Sequence, residues 1–248
     1  MGFLDDGTPL AWKDSVAFLK YVREHGVKQF ISTYKKVKDR KNDKLLWGDE
    51  IEYMILKFDH SKKKVYIALR AKEVIGTLEA EETELEKLGK STTAWRPEYG
   101  NWMVEAVPRK PYGGQTSDLC KVVQNMHERR DRIESVLLDD ECAMTIVAFP
   151  TLGVGQFTFP FTKPGGLYAQ SDCVSDEVIN PHPRFWTLTG NIRERRGSKV
   201  DIRVPIYSGG SLKRRELEKS KAKDDDTVMF KFNDVANSVE KQTLDRKH

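Results

Sequence analysis

Two segments carry acidic residues where a folded chain has reason to avoid them. In Trp47-Gly48-Asp49-Glu50-Ile51-Glu52-Tyr53-Met54, Ile51, Tyr53 and Ile55 alternate with Glu52, Met54 and Leu56, a period of two that predicts a β-strand. On a strand, Glu50 and Glu52 project to one face. Two carboxylates about 4 Å apart repel by roughly 4 kcal/mol at an effective dielectric near 20. A cation relieves that repulsion, and magnesium, which takes oxygen ligands and shares them with phosphates, is the natural one. The bland alternative is a solvent-facing strand edge. Met54 and Phe58 continue the same face and argue against an open surface.

The second segment is Trp95-Arg96-Pro97-Glu98-Tyr99-Gly100-Asn101-Trp102-Met103-Val104-Glu105. Glu105 lies between Met103 and Val107 on one strand face, while Trp102, Val104 and Ala106 form the other. A carboxylate among apolar neighbours is costly unless paired or metal-bound. Either a salt bridge to Arg96 or Arg109, or a metal, would satisfy it. Glu98 and Glu105 fall on opposite parities, so a turn at Pro97–Gly100 is needed to bring both to one cavity.

A third segment, His182 to Gly197, holds Arg184, Arg193, Arg195 and Arg196. Guanidinium groups grip phosphates and carboxylates bidentately, so Arg184, Arg193 and Arg196 are candidate substrate- or phosphate-binding residues. The alternative is a basic, solvated helix end. His182, between two prolines and without a carboxylate near in sequence, reads as structural rather than as a general base.

The elements around these segments follow from periodicity. Residues 14–25 predict an amphipathic helix capped by Asp14 or Ser15 and ended by Gly26, followed by a second helix through Phe30, Tyr34 and Val37. The basic run Lys35–Lys44 reads as a solvated helix face and turn. Leu45–Phe58 and Val65–Leu69 predict a hairpin, 72–90 a charged helix, and Trp102–Val107 a further strand. Ser117 or Asp118 starts a helix running to about Leu138. Ala143–Phe149, Val200–Tyr207 and Thr227–Phe232 predict strands, 150–182 is loop-rich, and Lys213–Asp226 is hydrophilic. Strands and helices without regular alternation predict an α+β fold with a mainly antiparallel sheet and flanking helices.

Composition narrows the function classes. The 248 residues suffice for one large or two small domains. A net charge of +4 attracts nucleotides weakly and does not by itself argue for nucleic acid. Cys120, Cys142 and Cys173 lack zinc spacing and read as reduced thiols in a cytoplasmic protein. The N-terminus lacks a secretory pattern, and Asp6 breaks the myristoylation pattern. No apolar run approaches the length of a membrane span. The Walker phosphate loop, a complete dinucleotide fingerprint and the nucleophile elbow are absent from the sequence.

Together, Trp47–Met54, Trp95–Glu105, Pro111-Tyr112-Gly113-Gly114 and His182–Pro205 resemble the eukaryotic glutamate–cysteine ligase family, as do Pro9-Leu10 with Trp12 and Val37-Lys38-Asp39-Arg40. The resemblance covers residues 1–207, with 208–248 a divergent charged tail. It implies a glutamine-synthetase-like antiparallel sheet, incomplete in this chain. It implies ATP-dependent joining of the L-glutamate γ-carboxyl to L-cysteine through γ-glutamyl phosphate, the first step of glutathione biosynthesis. It also implies Mg²⁺ as cofactor, ATP as co-substrate and a regulatory modifier subunit as partner. Glu50, Glu52, Glu98 and Glu105 fall on the family's metal-binding glutamates. Trp186 and Gly190 depart from the pattern, and family members are much longer. A truncated fragment that acts only in subunit association is the alternative, and a basic nucleic-acid module ranks last.

Overall fold

The computed structural model describes residues 7–199. The strands expected at 200–207 and 227–232 lie outside these residues. The described residues fall in two units, 7–147 with 158–199 in the first and 148–157 in the second. Of the second, the structure describes 148–157, where Phe149 O accepts from Leu152 N at 3.1 Å and Thr151 O from Val154 N at 2.9 Å.

In the first unit, a short helix α1 (Trp12–Ser15) and a 3₁₀ turn lead into α2 (Leu19–Val37). The helix break expected at Gly26 is absent, and α2 runs through it. One glycine costs a helix about 1 kcal/mol relative to alanine, too little to stop it without a competing cap. Neither helix buries a residue, and Phe30 of α2 is 70% exposed. Among the described residues no helix is long and apolar enough to cross a membrane.

The sheet holds β1 (Ile51–Asp59), β2 (Lys64–Ala68), β3 (Thr93–Pro97), β4 (Met103–Pro108), β5 (Glu141–Met144) and β6 (Thr158–Phe159). Its order is β3-β4-β1-β2-β6, with β5 also paired to β1. The β2–β6 pair is parallel and the other pairs described are antiparallel, so the α+β class holds with a mixed sheet. The expected hairpin forms, with Lys63 at φ 51° closing its turn. Its first strand starts at Ile51 rather than Leu45, because Trp47 bridges to Tyr112 instead. β3 is absent from the sequence expectation, being short and broken by Pro97. The strand expected over 143–149 is instead β5, which ends at Met144, where its pairing with β1 stops at Met54.

Helices α3 (Ala71–Lys87) and α4 (Thr116–Ser135) supply the other half of the core. Ile55, Val104 and Trp95 of the sheet pack with Leu78 and Ile133 of the helices, all of them 0% exposed. Full burial of one such side chain contributes about 1.5–3 kcal/mol. The odd-numbered residues of β1 therefore face the helices. Glu52, Met54 and Leu56 occupy the other face by parity.

The cap of α4 differs from the sequence expectation. Gln115 is the N-cap, and the Asp118 carboxylate reaches back to accept its N–H at 3.1 Å. Three residues on from the cap is where a carboxylate can close that loop. A Cβ on Gly113 would lie 2.4 Å from the Asp118 carboxylate. Gly113→Ala is therefore expected to dislodge the cap and cost about 1 kcal/mol, read as a lower urea midpoint.

Candidate metal centre

The entry to β1 is held from one side. Trp47 and Tyr112 exchange backbone hydrogen bonds of 3.1 and 2.7 Å, their rings stack obliquely at 4.9 Å, and the Trp47 indole donates to Gly113 O at 2.9 Å. Asp49 then turns back to the fully buried Arg129 of α4, 2.5 Å away. The same guanidinium donates to Ala106 O at 2.8 Å. One cation thus ties down the residue before Glu50 and the residue after Glu105.

Register does the rest. Glu52 pairs with Glu105 across β1 and β4, and Glu105 pairs with Arg96 across β4 and β3. Directly opposed residues share a face, so Arg96, Glu105 and Glu52 form a row across three strands, on the side away from α3 and α4. Glu98 follows β3 by one residue and accepts the Tyr99 N–H at 3.1 Å. Its turn is fastened to the segment before helix α5 (Pro183–Arg196). Asn101 N donates to Val178 O and Asn180 N to Tyr99 O, both at 2.8 Å. The Tyr99 hydroxyl and Thr189 Oγ1 of α5 are 2.8 Å apart. The chain does turn between Glu98 and Glu105, with the hydrogen-bonded turn at Gly100–Met103 (Met103 N to Gly100 O, 2.9 Å) rather than at Pro97–Gly100, and Glu98 comes close enough to raise the Glu105 carboxyl.

Electrostatics at this cluster are strained in one direction. Glu105 is only 5% exposed. Burial, the Glu98 hydrogen bond and the Glu50 charge push its carboxyl up to about 7. Burial, then Glu98 and Glu50, also raise the Glu52 carboxyl above its ordinary value. The salt bridges considered for Glu105 do not form. Arg109 is spent on Glu86, and Arg96 donates to Trp95 O at 2.8 Å. Among the described residues no three acidic, histidine or cysteine side chains stand close enough to enclose an ion. The donor set still fits a hard cation. It is all carboxylate, and the Glu98 and Glu50 charges raise the carboxyls of both Glu52 and Glu105.

Arg184 is not brought together with Arg196 here. Arg184 opens α5 and Arg196 closes it, which separates them by about 18 Å at 1.5 Å per residue. Arg193 donates to the carbonyls of Tyr168 and Ala169, holding a loop whose amides Tyr168 N and Ala169 N bind the Asp176 carboxylate. His182 is the N-cap of α5, its Nδ1 accepting from Arg184 N at 3.2 Å, in keeping with its structural reading. Arg129 was outside the sequence-level candidates. It looks like one more surface charge in a basic helix, and nothing in its spacing marks it as buried.

A glutamate–cysteine ligase family model matches residues 2–244. The glutamate–cysteine ligase catalytic subunit of Homo sapiens is 45% identical over 210 residues, covering 84% of this chain and 33% of the relative. The glutamate–cysteine ligase of Dictyostelium discoideum is 43% identical over 211 residues, with 84% and 32% covered. That of Candida albicans is 42% identical over 214 residues, with 86% and 31% covered. The chain spans about a third of the length of the curated relatives it matches.

Proposed function

The chain belongs to the glutamate–cysteine ligase family, and on that premise we propose that it carries the metal-binding part of an ATP-dependent ligase joining the γ-carboxyl of L-glutamate to L-cysteine. One observation supports this reading above the others. Glu105, buried and without a basic partner among the described residues, has its carboxyl pushed up by burial and by nearby Glu98 and stands opposite Glu52 in register. Such a cluster is unfavourable in isolation and becomes favourable around a divalent cation.

In this reading Glu50, Glu52, Glu98 and Glu105 hold Mg²⁺. When bound, Mg²⁺ supplies charge neutralisation for phosphate oxygens as the γ-phosphoryl group moves to the glutamate carboxylate. The protein's own share is positional. The β1–β4 register aligns Glu52 with Glu105, the Tyr99 amide orients Glu98, and Arg129 fixes both strands from behind. The amine of cysteine then displaces phosphate from γ-glutamyl phosphate. The open sheet face is read as one wall of a glutamine-synthetase-like funnel, residues 1–207 as the ligase portion, and a modifier subunit as a partner. Arg184, Arg193 and Arg196 are retained as candidate anion contacts, with Arg193 the least available because its guanidinium already holds a loop.

The test is formation of γ-glutamylcysteine dependent on ATP, Mg²⁺, glutamate and cysteine, alongside direct calorimetric measurement of Mg²⁺ binding. Glu52→Ala is expected to lower both by at least about 100-fold, as loss of one charged ligand at a transition-state-stabilising site does. Mg²⁺ binding unchanged by this substitution would overturn the metal assignment.

A further inference from the structure

The acidic row ends on Arg96, a cation that faces carboxylates in register. Arg70, Arg109, Arg129 and Arg132 each bind a carboxylate, to Glu141, Glu86, Asp49 and Glu82 respectively. Arg96 has no such partner among the described residues, although the acid directly opposite it is Glu105 and Glu52 comes next along the row. Its recorded side-chain hydrogen bond runs to the carbonyl of Trp95, its own neighbour, at 2.8 Å. A guanidinium has five N–H donors, so this bond leaves most of them unused. The side chain is half-buried and sits on β3, at the end of the strand order, on the face away from the helices.

Charge along the row is therefore segregated. The acids lie over β4 and β1, and the arginine lies over β3 without neutralising them. Segregation of this kind suits a ligand that is itself divided, with a cation over the acids and an oxyanion beside the arginine. A guanidinium presents parallel N–H groups matched to two oxygens of a phosphate.

We propose that Arg96 is a binding residue for a phosphate oxyanion that shares the cation held by Glu52 and Glu105. The proposal rests on the metal reading above and names the second half of the same ligand. It places the polyphosphate of the nucleotide across the sheet, from β1 towards the β3 edge. Arg96 is then a contact to the ligand rather than a counter-ion of Glu105.

Calorimetry on the full chain distinguishes these roles, with Mg²⁺ alone and then with inorganic tripolyphosphate in the presence of Mg²⁺. The expected result for Arg96→Ala is unchanged Mg²⁺ affinity and about 10- to 100-fold weaker tripolyphosphate binding, the usual range for loss of a charge-assisted hydrogen bond. Arg96→Lys keeps the charge without the fork and is expected to fall between the two; it also serves if Arg96→Ala fails to fold. A wild-type chain that takes up no Mg²⁺ overturns the metal reading, and this inference with it. A wild-type chain that takes up Mg²⁺ while its Arg96 variants hold tripolyphosphate equally well overturns this inference alone. A loss of L-glutamate binding with tripolyphosphate binding intact overturns it as well, because the contact is then to a carboxylate.

Discussion

Arg129→Met is expected to lower the unfolding free energy by about 3–5 kcal/mol, the range measured when one partner of a buried ion pair is removed. Methionine fills much of the arginine volume, so the loss comes from polar groups and not from a cavity. The Asp49 carboxylate, 17% exposed, loses its cation, and Ala106 O loses a donor. The measurement is a urea or thermal unfolding curve. A second readout separates positioning from bulk stability. Arg129 touches the residues next to Glu50 and Glu105, so Mg²⁺ affinity should fall even under conditions where the variant is fully folded. The double variant Asp49→Leu with Arg129→Met should recover part of the stability, because no unpaired charge is left, without recovering Mg²⁺ binding. Recovery of both would make Arg129 an ordinary structural ion pair.

Glu105→Gln is expected to have effects of opposite sign with and without metal. Glutamine keeps the shape and removes the charge. In the metal-free chain the Glu105 carboxyl titrates near 7 when folded, against an ordinary value of 4.5. An acid with a raised folded pKa is destabilising when ionised. Its penalty is absent below about pH 4.5, grows between there and 7, and is fully present at pH 8. Glu105→Gln should therefore stabilise the metal-free protein at pH 8, by on the order of 2 kcal/mol, with the gain fading as the pH is lowered towards 4.5. In saturating Mg²⁺ the order should reverse. The wild type gains binding free energy by mass action and the variant does not. Melting temperatures at two pH values, with and without Mg²⁺, give all four corners of the comparison. A variant less stable than wild type in the metal-free state at pH 8 would show that Glu105 is already compensated.

These two variants mark where sequence reasoning stops. Glu105 was legible because its neighbours on both strand faces are apolar, so burial followed from parity. Arg129 was not. It sits in His127-Glu128-Arg129-Arg130-Asp131-Arg132, where five consecutive residues are charged and only packing decides which side chain turns inward. In the structure Arg129 is 0% exposed, while Arg130 lies over the ring of Tyr53 and Arg132 bridges to Glu82. Strand β3 escaped for a related reason. Thr93–Pro97 is too short to show a period, and its strand character comes from pairing with β4. Gly26 misled in the other direction, since a local penalty of about 1 kcal/mol looks like a stop signal and is overridden by helix on either side.

By itself, then, the sequence determined the α+β class, the strand that carries Glu52, the need for a turn between Glu98 and Glu105, and the family to which those blocks belong. These depend on alternation, side-chain volume and local turn chemistry, which are written in the order of residues. Tertiary structure alone decided that Glu52 stands opposite Glu105, that Arg96 completes their row without pairing to it, and that Arg129 clamps both strands from the helix side. Register and burial are set by contacts between residues distant in sequence. Their energies depend on which groups share a low-dielectric neighbourhood, and no spacing along the chain records that.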